Sequence, residues 1–414
     1  MEHKLAPHEV KAGMYVRRFG GSWFDHPFWF PRFVVRPEDV PRFAASDVPY
    51  VVIDDQLGFG PNAPSEPPRK ADPASFARRK TDKEGGRHPR QPERYDARWK
   101  DNERAQAKKL AARSLKVMRR NFGEVRLGRA IRITEVGDLV DDVVASVERS
   151  PRTLLEVLRL KKKDEYTYLH SVAVCTLMIT VARHLGLPER EVRDYGMAGL
   201  LHDIGKMGIA DEVLNKAGRL TDGELEQVRG HPEHGFQVLS QTSNIPELAL
   251  DVCRHHHERP DGQGYPFGLP AGDISIAARL GAICDVYDAL TSERVYKDAW
   301  TPAEAVTAMW DWEGQFDRKL QFAFMQSIGV FPPGMLVELR SNRLALVLAS
   351  RRKNAPPRVL AFYSMRDRQP IVPEDVTISD SFAKDSITAP SSPEYWGLTE
   401  RECSEDFIRG KLAA

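Results

Sequence analysis

Leu200-Leu201-His202-Asp203-Ile204-Gly205-Lys206 is the stretch whose reading decides the fold. An apolar run from Gly196 to Leu201 ends in a His–Asp pair, and Gly205 then interrupts the pattern. Burying an imidazole and a carboxylate is costly unless each is paired or ligated. Adjacent side chains reach one point only where a helix frays or turns, and Ile204–Gly205 is expected to supply that turn. Lys206 sets a cation beside the same spot. Alone, the heptapeptide reads as a hydrogen-bonded pair at a helix end. Its companions change that reading.

Apolar residues recur at helical spacing over Val136–Val147 and Leu154–Leu160. Asp164 to Leu185 is expected to form a longer helix bearing His170, and Leu187 to Leu201 another that ends at the His–Asp pair. Thr221-Asp222-Gly223-Glu224 is a capping box opening a helix towards His231, and Thr301-Pro302-Ala303-Glu304 is a second box with Pro at the first helical position. Ile245 to Arg254 is a helix ending in His255-His256-His257-Glu258. Asp273 to Leu290 is an apolar helix interrupted by Asp285 and Asp288.

His170, His202, Asp203, His231, His256, His257 and Asp285 thus fall within 116 positions, on successive helices, at helix ends or inward faces. One histidine on an apolar face is ordinarily a core residue with a hydrogen bond. A set this size on one bundle is hard to bury except around cations. Imidazole plus carboxylate without thiolate suits Fe, Mn, Zn or Ni and not a Cys-built structural zinc site. The set is too large for one ion and fits two. Two ions about 3.5–4 Å apart hold a hydroxide between them for in-line attack on phosphorus, and neutralise charge on the phosphoryl oxygens.

The flanks read differently. Residues 1–60 are expected to form a small α+β regulatory module, with strands at Gly13–Phe19 and Tyr50–Ile53 and a Gly20–Gly21 turn. The aromatic stretch Trp23 to Phe30 is read as core filling for a very small domain. Residues 61–113 read as a charged, Pro-rich linker passing into a helix near Arg94–Met118; positions 66–109 hold 14 Lys/Arg against 8 Asp/Glu, with too little apolar surface to fold alone. Residues 127–330 are expected to form the helical domain. Residues 331–380 turn to β patterning, with strands at Leu336–Leu339, Leu344–Leu348 and Val359–Phe362 and a hairpin turn at Ser341-Asn342-Arg343. Residues 381–414 read as a loosely ordered tail.

Bulk composition narrows the classes. With 414 residues the length suits two to three domains, and 41% hydrophobic content suffices for a core. A formal net charge of +1 gives no global field for a nucleic-acid polymer or a membrane surface. The longest apolar run, Val172 to Ala182, is too short to span a bilayer, and the N-terminus lacks a signal-peptide apolar segment. Four cysteines without CxxC spacing fit a reducing cytoplasm.

His202–Asp203 resembles the pair that names the HD superfamily of metal-dependent phosphohydrolases. His256-His257-Glu258-Arg259-Pro260-Asp261-Gly262-Gln263-Gly264-Tyr265-Pro266 resembles the signature of its HD-GYP subfamily, and the likeness extends over roughly 160–325 through His231–Pro232, Asp285–Leu290 and Arg294. Residues 1–60 also resemble a domain of unknown function often placed ahead of HD-GYP domains. The resemblance implies a mainly α protein: an all-helical HD-type bundle, the HD-GYP-like catalytic domain over residues 127–330, with the small N-terminal α+β module and a short C-terminal β segment. It implies hydrolysis of cyclic di-GMP to the linear dinucleotide pGpG, with GMP as a further product left open.

Carried over by position, the family's metal ligands fall on His170, His202, Asp203, His231, His256, His257 and Asp285, with Asp203 as the bridging carboxylate. Asp203 and Lys206 become the catalytic pair. Phosphate and guanine contacts fall on Lys206, Tyr265, Asp288, Arg294 and Lys297. Members with three metals carry a Glu four residues before the first ligand histidine; Tyr166 stands there, which argues for two divalent ions, Fe or Mn first and Zn or Ni as alternatives. Val295 and Pro260 replace the family's usual Pro and Trp, changes of loop shape more than of chemistry.

Other residues take plainer readings. His255 reads as the outer edge of the histidine run, His184 as a helix-end residue, and His234 as either a neighbour of the ligands or a solvent position. Glu258 either orients a ligand histidine or sits on the surface at a helix end. The GYP loop and the N-terminal module are candidate surfaces for a protein partner, and a homodimer is a candidate assembly. Two rival functions stay open: a catalytically weak cyclic di-GMP-binding signalling protein, and a phosphohydrolase of another cyclic dinucleotide or a nucleotide monophosphate.

Overall fold

The computed structural model describes residues 2–19, 33–35, 39–44, 48–55, 59–61, 93–159, 165–214, 216, 220–292, 299–349, 356–378 and 385–410. The chain divides into two compact units, Met1–Arg98 and Trp99–Ala414. The fold is mainly α, with one small sheet in each unit.

The first unit holds strands β1 (Glu2–Leu5), β2 (Tyr15–Phe19), β3 (Phe33–Val34) and β4 (Val51–Asp54), antiparallel in the order β1-β4-β2-β3, with a short helix α1 (Val40–Ala44). Val10, Met14, Val16, Val35, Phe43, Val51 and Ile53 make its core. Two of the four strands follow the expected segments. The polar β1 and the two-residue β3 carry too little alternation to be seen in advance. The Trp23–Phe30 stretch, the Gly20–Gly21 turn and most of the Pro-rich linker lie outside the described residues.

The long helix α2 (Glu93–Arg126), which from Trp99 onward belongs to the second unit, runs well past the expected Met118. The bundle follows: α3 (Ile133–Arg149), α4 (Pro151–Leu158), α5 (Tyr166–His184), α6 (Glu189–Leu201), the short α7 (Asp211–Leu214), α8 (Asp222–Arg229), α9 (His231–Ser240), α10 (Glu247–His255), α11 (Ile276–Thr291), α12 (Pro302–Asp311) and α13 (Arg318–Ile328). Helix α5 is its axis. Its positions 169–182 are buried without interruption, and it packs against α3, α4, α6, α11 and α13. Gly199 lets α6 approach it: a Cβ there would lie 2.8 Å from the Cys175 Cα.

Local chemistry sets the helix ends. The two capping boxes form as expected, Thr221 with Glu224 and Thr301 with Glu304. Asp317 caps α13 by accepting from the Lys319 and Leu320 amides, and Gly329 ends that helix at φ 64°.

Strands β5 (Leu336–Leu339), β6 (Arg343–Val347), β7 (Arg358–Ser364), β8 (Gln369–Thr377) and β9 (Ile387–Pro390) form an antiparallel sheet in the order β8-β7-β6-β5-β9. Asn342, at φ 58°, makes the β5–β6 turn. Residues 385–410, read from the sequence as a loose tail, instead supply the edge strand β9 and a terminal helix α14 (Glu405–Gly410). The reason is apolar. Cys403 and Ile408 bury themselves against Leu344, Leu346, Leu360 and Phe362, covering a sheet face that would otherwise meet water.

Candidate metal centre

Five helices deliver the predicted ligands to one place. His170 comes from the second turn of α5, His202 and Asp203 from the end of α6, and His231 from the first position of α9. His256 and His257 follow the end of α10, and Asp285 projects from α11. Their ligand atoms form two groups, Asp203/His231/His256/His257 and His170/His202/Asp285, each with its atoms within 4.8 Å of one another.

Asp203 joins the groups. Its Oδ1 lies 3.3 Å from His231 Nε2 and 3.7 Å from His256 Nε2. Its Oδ2 lies 3.4 Å from His202 Nε2, 3.6 Å from His170 Nε2 and 2.5 Å from Lys206 Nζ. Asp285 sits 3.0 Å from His170 Nε2 through Oδ1, and its Oδ2 lies 3.9 Å from His257 Nδ1.

The backbone explains how neighbours in sequence reach one point. Helix α6 does not turn sharply; it tightens into a 3₁₀ segment over Ile204–Gly208, with Asp203 at φ −101°, ψ 10°. Gly205 has a different task from the expected turn. A Cβ on it would lie 2.0 Å from the His231 carbonyl oxygen and 2.5 Å from the Gly235 amide, so glycine permits the approach that brings His231 to Asp203.

The rings are oriented for ligation. His202 Nδ1 donates to the Gly199 carbonyl at 2.9 Å, His231 Nδ1 to Val228 at 2.6 Å, and His256 Nδ1 to Val252 at 3.0 Å. A carbonyl cannot donate, so in each neutral ring the proton sits on Nδ1 and the Nε2 lone pair faces the cluster. His202 Nε2 and Asp203 Oδ1 are buried without a hydrogen-bond partner. Buried polar atoms left unsatisfied in this way, all of them donors to a cation, fit divalent metals of the N/O-liganded kind.

Electrostatics shift several of the candidate ligands. Burial opposes ionisation of Asp203, but Lys206 and His202 outweigh it and hold the carboxyl well below the usual range. Burial likewise opposes ionisation of Asp285, and His170 outweighs it. Burial pushes the His256 imidazole down to about 4, and burial with the neighbouring His256 holds His257 well below its ordinary value. His170 is the exception: Asp285 and Asp288 overcome burial and raise it.

The expected substrate contacts fare differently. Tyr265 lies beside the cluster, its ring stacked on His257 at 4.6 Å. Lys206 is on the cluster, paired with Asp203. Asp288, expected to touch substrate, is buried, where its Oδ2 accepts a hydrogen bond from His170 Nδ1 at 2.7 Å and its Oδ1 accepts from Ser292. Its place one turn after Asp285 on α11 dictates that position. Arg294, Lys297 and the Tyr166 side chain lie outside the described residues. Glu258 neither orients a histidine nor lies on the surface: it is 1% exposed, and its two oxygens accept the Phe267 and Leu269 amides at 2.7 and 2.9 Å. It thereby pins the loop that carries Tyr265. His255 binds Asp251 at 2.8 Å away from the cluster, while His234 and His184 are exposed.

Comparison with known proteins shows the family. A family profile for the HD domain matches residues 150–320, and one for a domain of unknown function matches 2–136. The chain is 42% identical over 393 residues to a cyclic di-GMP phosphodiesterase of Pseudomonas aeruginosa, covering 94% of this chain and 92% of that protein. It is 38% identical over 182 residues to a cyclic di-GMP phosphodiesterase response regulator of Xanthomonas campestris, covering 43% and 48% of the two chains. A solved HDGYP protein of Bdellovibrio bacteriovorus overlaps 78% of this chain and 98% of its own at 15% identity, with a TM-score of 0.44. From its two-group His/Asp cluster and its near full-length kinship, the chain belongs to the HD-GYP family of HD-domain phosphodiesterases.

Proposed function

We propose that this protein hydrolyses cyclic di-GMP to linear pGpG in the cytoplasm, using two divalent ions. The observation that carries the reading is Asp203, whose two carboxylate oxygens each face a separate group of imidazoles. Near full-length kinship to a phosphodiesterase named for this substrate supports the choice of cyclic dinucleotide.

His170, His202 and Asp285 would hold one ion and His231, His256 and His257 the other, with Asp203 bridging. Such a pair supplies a nucleophile from water at neutral pH and screens charge on the phosphoryl oxygens. The chain's own residues do the rest. Lys206, 2.5 Å from Asp203 Oδ2 and partly exposed, places a cation at the edge of the cluster where a phosphoryl oxygen arrives. The Tyr265 phenol holds its proton near neutral pH, more firmly still because burial raises its pKa, so it serves as a hydrogen-bond donor to the nucleotide. Asp288 and the three backbone carbonyls hold the ligand rings in place before substrate binds.

The test is turnover of cyclic di-GMP with Mn or Fe supplied, for the wild type and for Asp203→Ala. Loss of at least about a hundredfold in the variant is expected, as for removal of a group that carries the metal site. Equal rates would end the reading, and tight binding without product would favour the signalling alternative.

A further inference from the structure

We infer that Arg229 is a substrate-binding residue that holds the anionic backbone of the dinucleotide outside the metal cluster. The inference rests on the reading just proposed and assigns that site a cation the motif comparison did not supply.

Arg229 is the last residue of α8 and lies two positions before His231. The hydrogen bond from His231 Nδ1 to the Val228 carbonyl ties the end of this helix to the cluster. From there the Arg229 side chain reaches over Tyr265, with its guanidinium carbon 5.6 Å from the ring centroid. That ring is itself stacked on His257 at 4.6 Å and 27°. His257, Tyr265 and Arg229 therefore form a continuous line leading outward from the metal ligands to the surface.

Lys206 already serves the cluster, 2.5 Å from Asp203, while Arg254 is paired with Glu233 at 2.8 Å and Arg259 with Asp261 at 2.5 Å. Arg229 is exposed and, among the described residues, has no carboxylate partner. A cation–π contact at an exposed position is weak and yields readily to a phosphate. A cyclic dinucleotide carries two phosphates, and one of them alone can occupy the metal centre. The second needs a countercharge within a nucleotide's length, and in a protein of net charge +1 no global field provides it. The planar fork of Arg229 suits that second phosphate.

The experiment compares steady-state kinetics of Mn-loaded wild type, Arg229→Ala and Arg229→Lys on cyclic di-GMP, at about 20 and about 200 mM salt. Arg229→Ala is expected to raise KM about ten- to a hundredfold with kcat within about threefold of wild type, and Arg229→Lys to recover part of the loss. The KM of wild type should climb with salt more steeply than that of Arg229→Ala. A residue that merely braces Tyr265 would leave the two salt dependences parallel, which overturns the inference, as does an unchanged KM or a loss confined to kcat. If wild type is active and the variants match it, Arg229 alone is wrongly assigned. If wild type neither turns over nor binds cyclic di-GMP, both the proposed function and this inference fall.

Discussion

The Nε2 atoms of His231 and His256 face each other at 3.4 Å, while the Nδ1 of each ring donates to a backbone carbonyl. Two neutral rings fixed this way point lone pair at lone pair, an arrangement that repels unless a cation lies between them and the facing carboxylate. Metal analysis of anaerobically purified protein is expected to find two ions per chain, and His256→Ala no more than one. Three ions in the wild type would show that the Tyr166 argument for two fails.

Metal uptake should depend on pH through His170. Its pKa is raised above the ordinary 6.5, so the metal-free protein keeps that proton to higher pH than a free imidazole would. A ligand must lose its proton to bind, so affinity rises with pH up to the raised value and then levels off. His256, already neutral above about 4, adds nothing in this window. The linked stability has the opposite slope: the metal-free fold keeps the His170 contribution in full below 6.5 and loses it as pH rises through the folded value. Mn dissociation constants between about pH 6 and 8 check this, and a flat profile contradicts it.

Asp288→Asn keeps the shape of the side chain but removes the charge behind His170. Weakening of metal affinity by about tenfold is expected, with turnover restored at excess Mn. Were Asp288 instead a direct contact of the nucleotide, saturating metal would leave a raised KM. Titrating activity against Mn concentration separates the two.

Gly205→Ala drives a methyl against the His231 carbonyl and the Gly235 backbone. Overpacking of this kind costs about 1–3 kcal/mol, so the melting temperature should fall and metal content with it. Gly223→Ala is the control, since nothing lies within 4 Å of a Cβ there. It should be neutral or stabilise by about 0.4–1 kcal/mol. Equal melting curves for the two variants would refute the close-approach argument.

Glu258→Gln turns an amide group towards one of the two backbone N–H donors that the carboxylate now satisfies. A cost of about 1–3 kcal/mol is expected, together with faster hydrogen exchange over residues 262–269 and a higher KM through Tyr265. Unchanged exchange in that loop would remove Glu258 from its pinning role.

Much of the protein was legible as sequence. Helical periodicity, two capping boxes and the order His170, His202–Asp203, His231, His256–His257, Asp285 suffice for a helical bundle with a metal-binding interior, because they depend on local spacing and on residue chemistry alone. What the tertiary structure decided is which atom faces which. That Asp203 splits its oxygens between two imidazole groups, that Asp288 hydrogen-bonds His170 across two helices, and that Glu258 reaches nine and eleven residues ahead to hold a loop all follow from how helices pack. The same holds for residues 385–410, whose weak local patterning acquires order only when Cys403 and Ile408 meet a sheet face made elsewhere in the chain. Local pattern specifies elements; distances between them depend on contacts far apart in sequence, which no window along the chain contains.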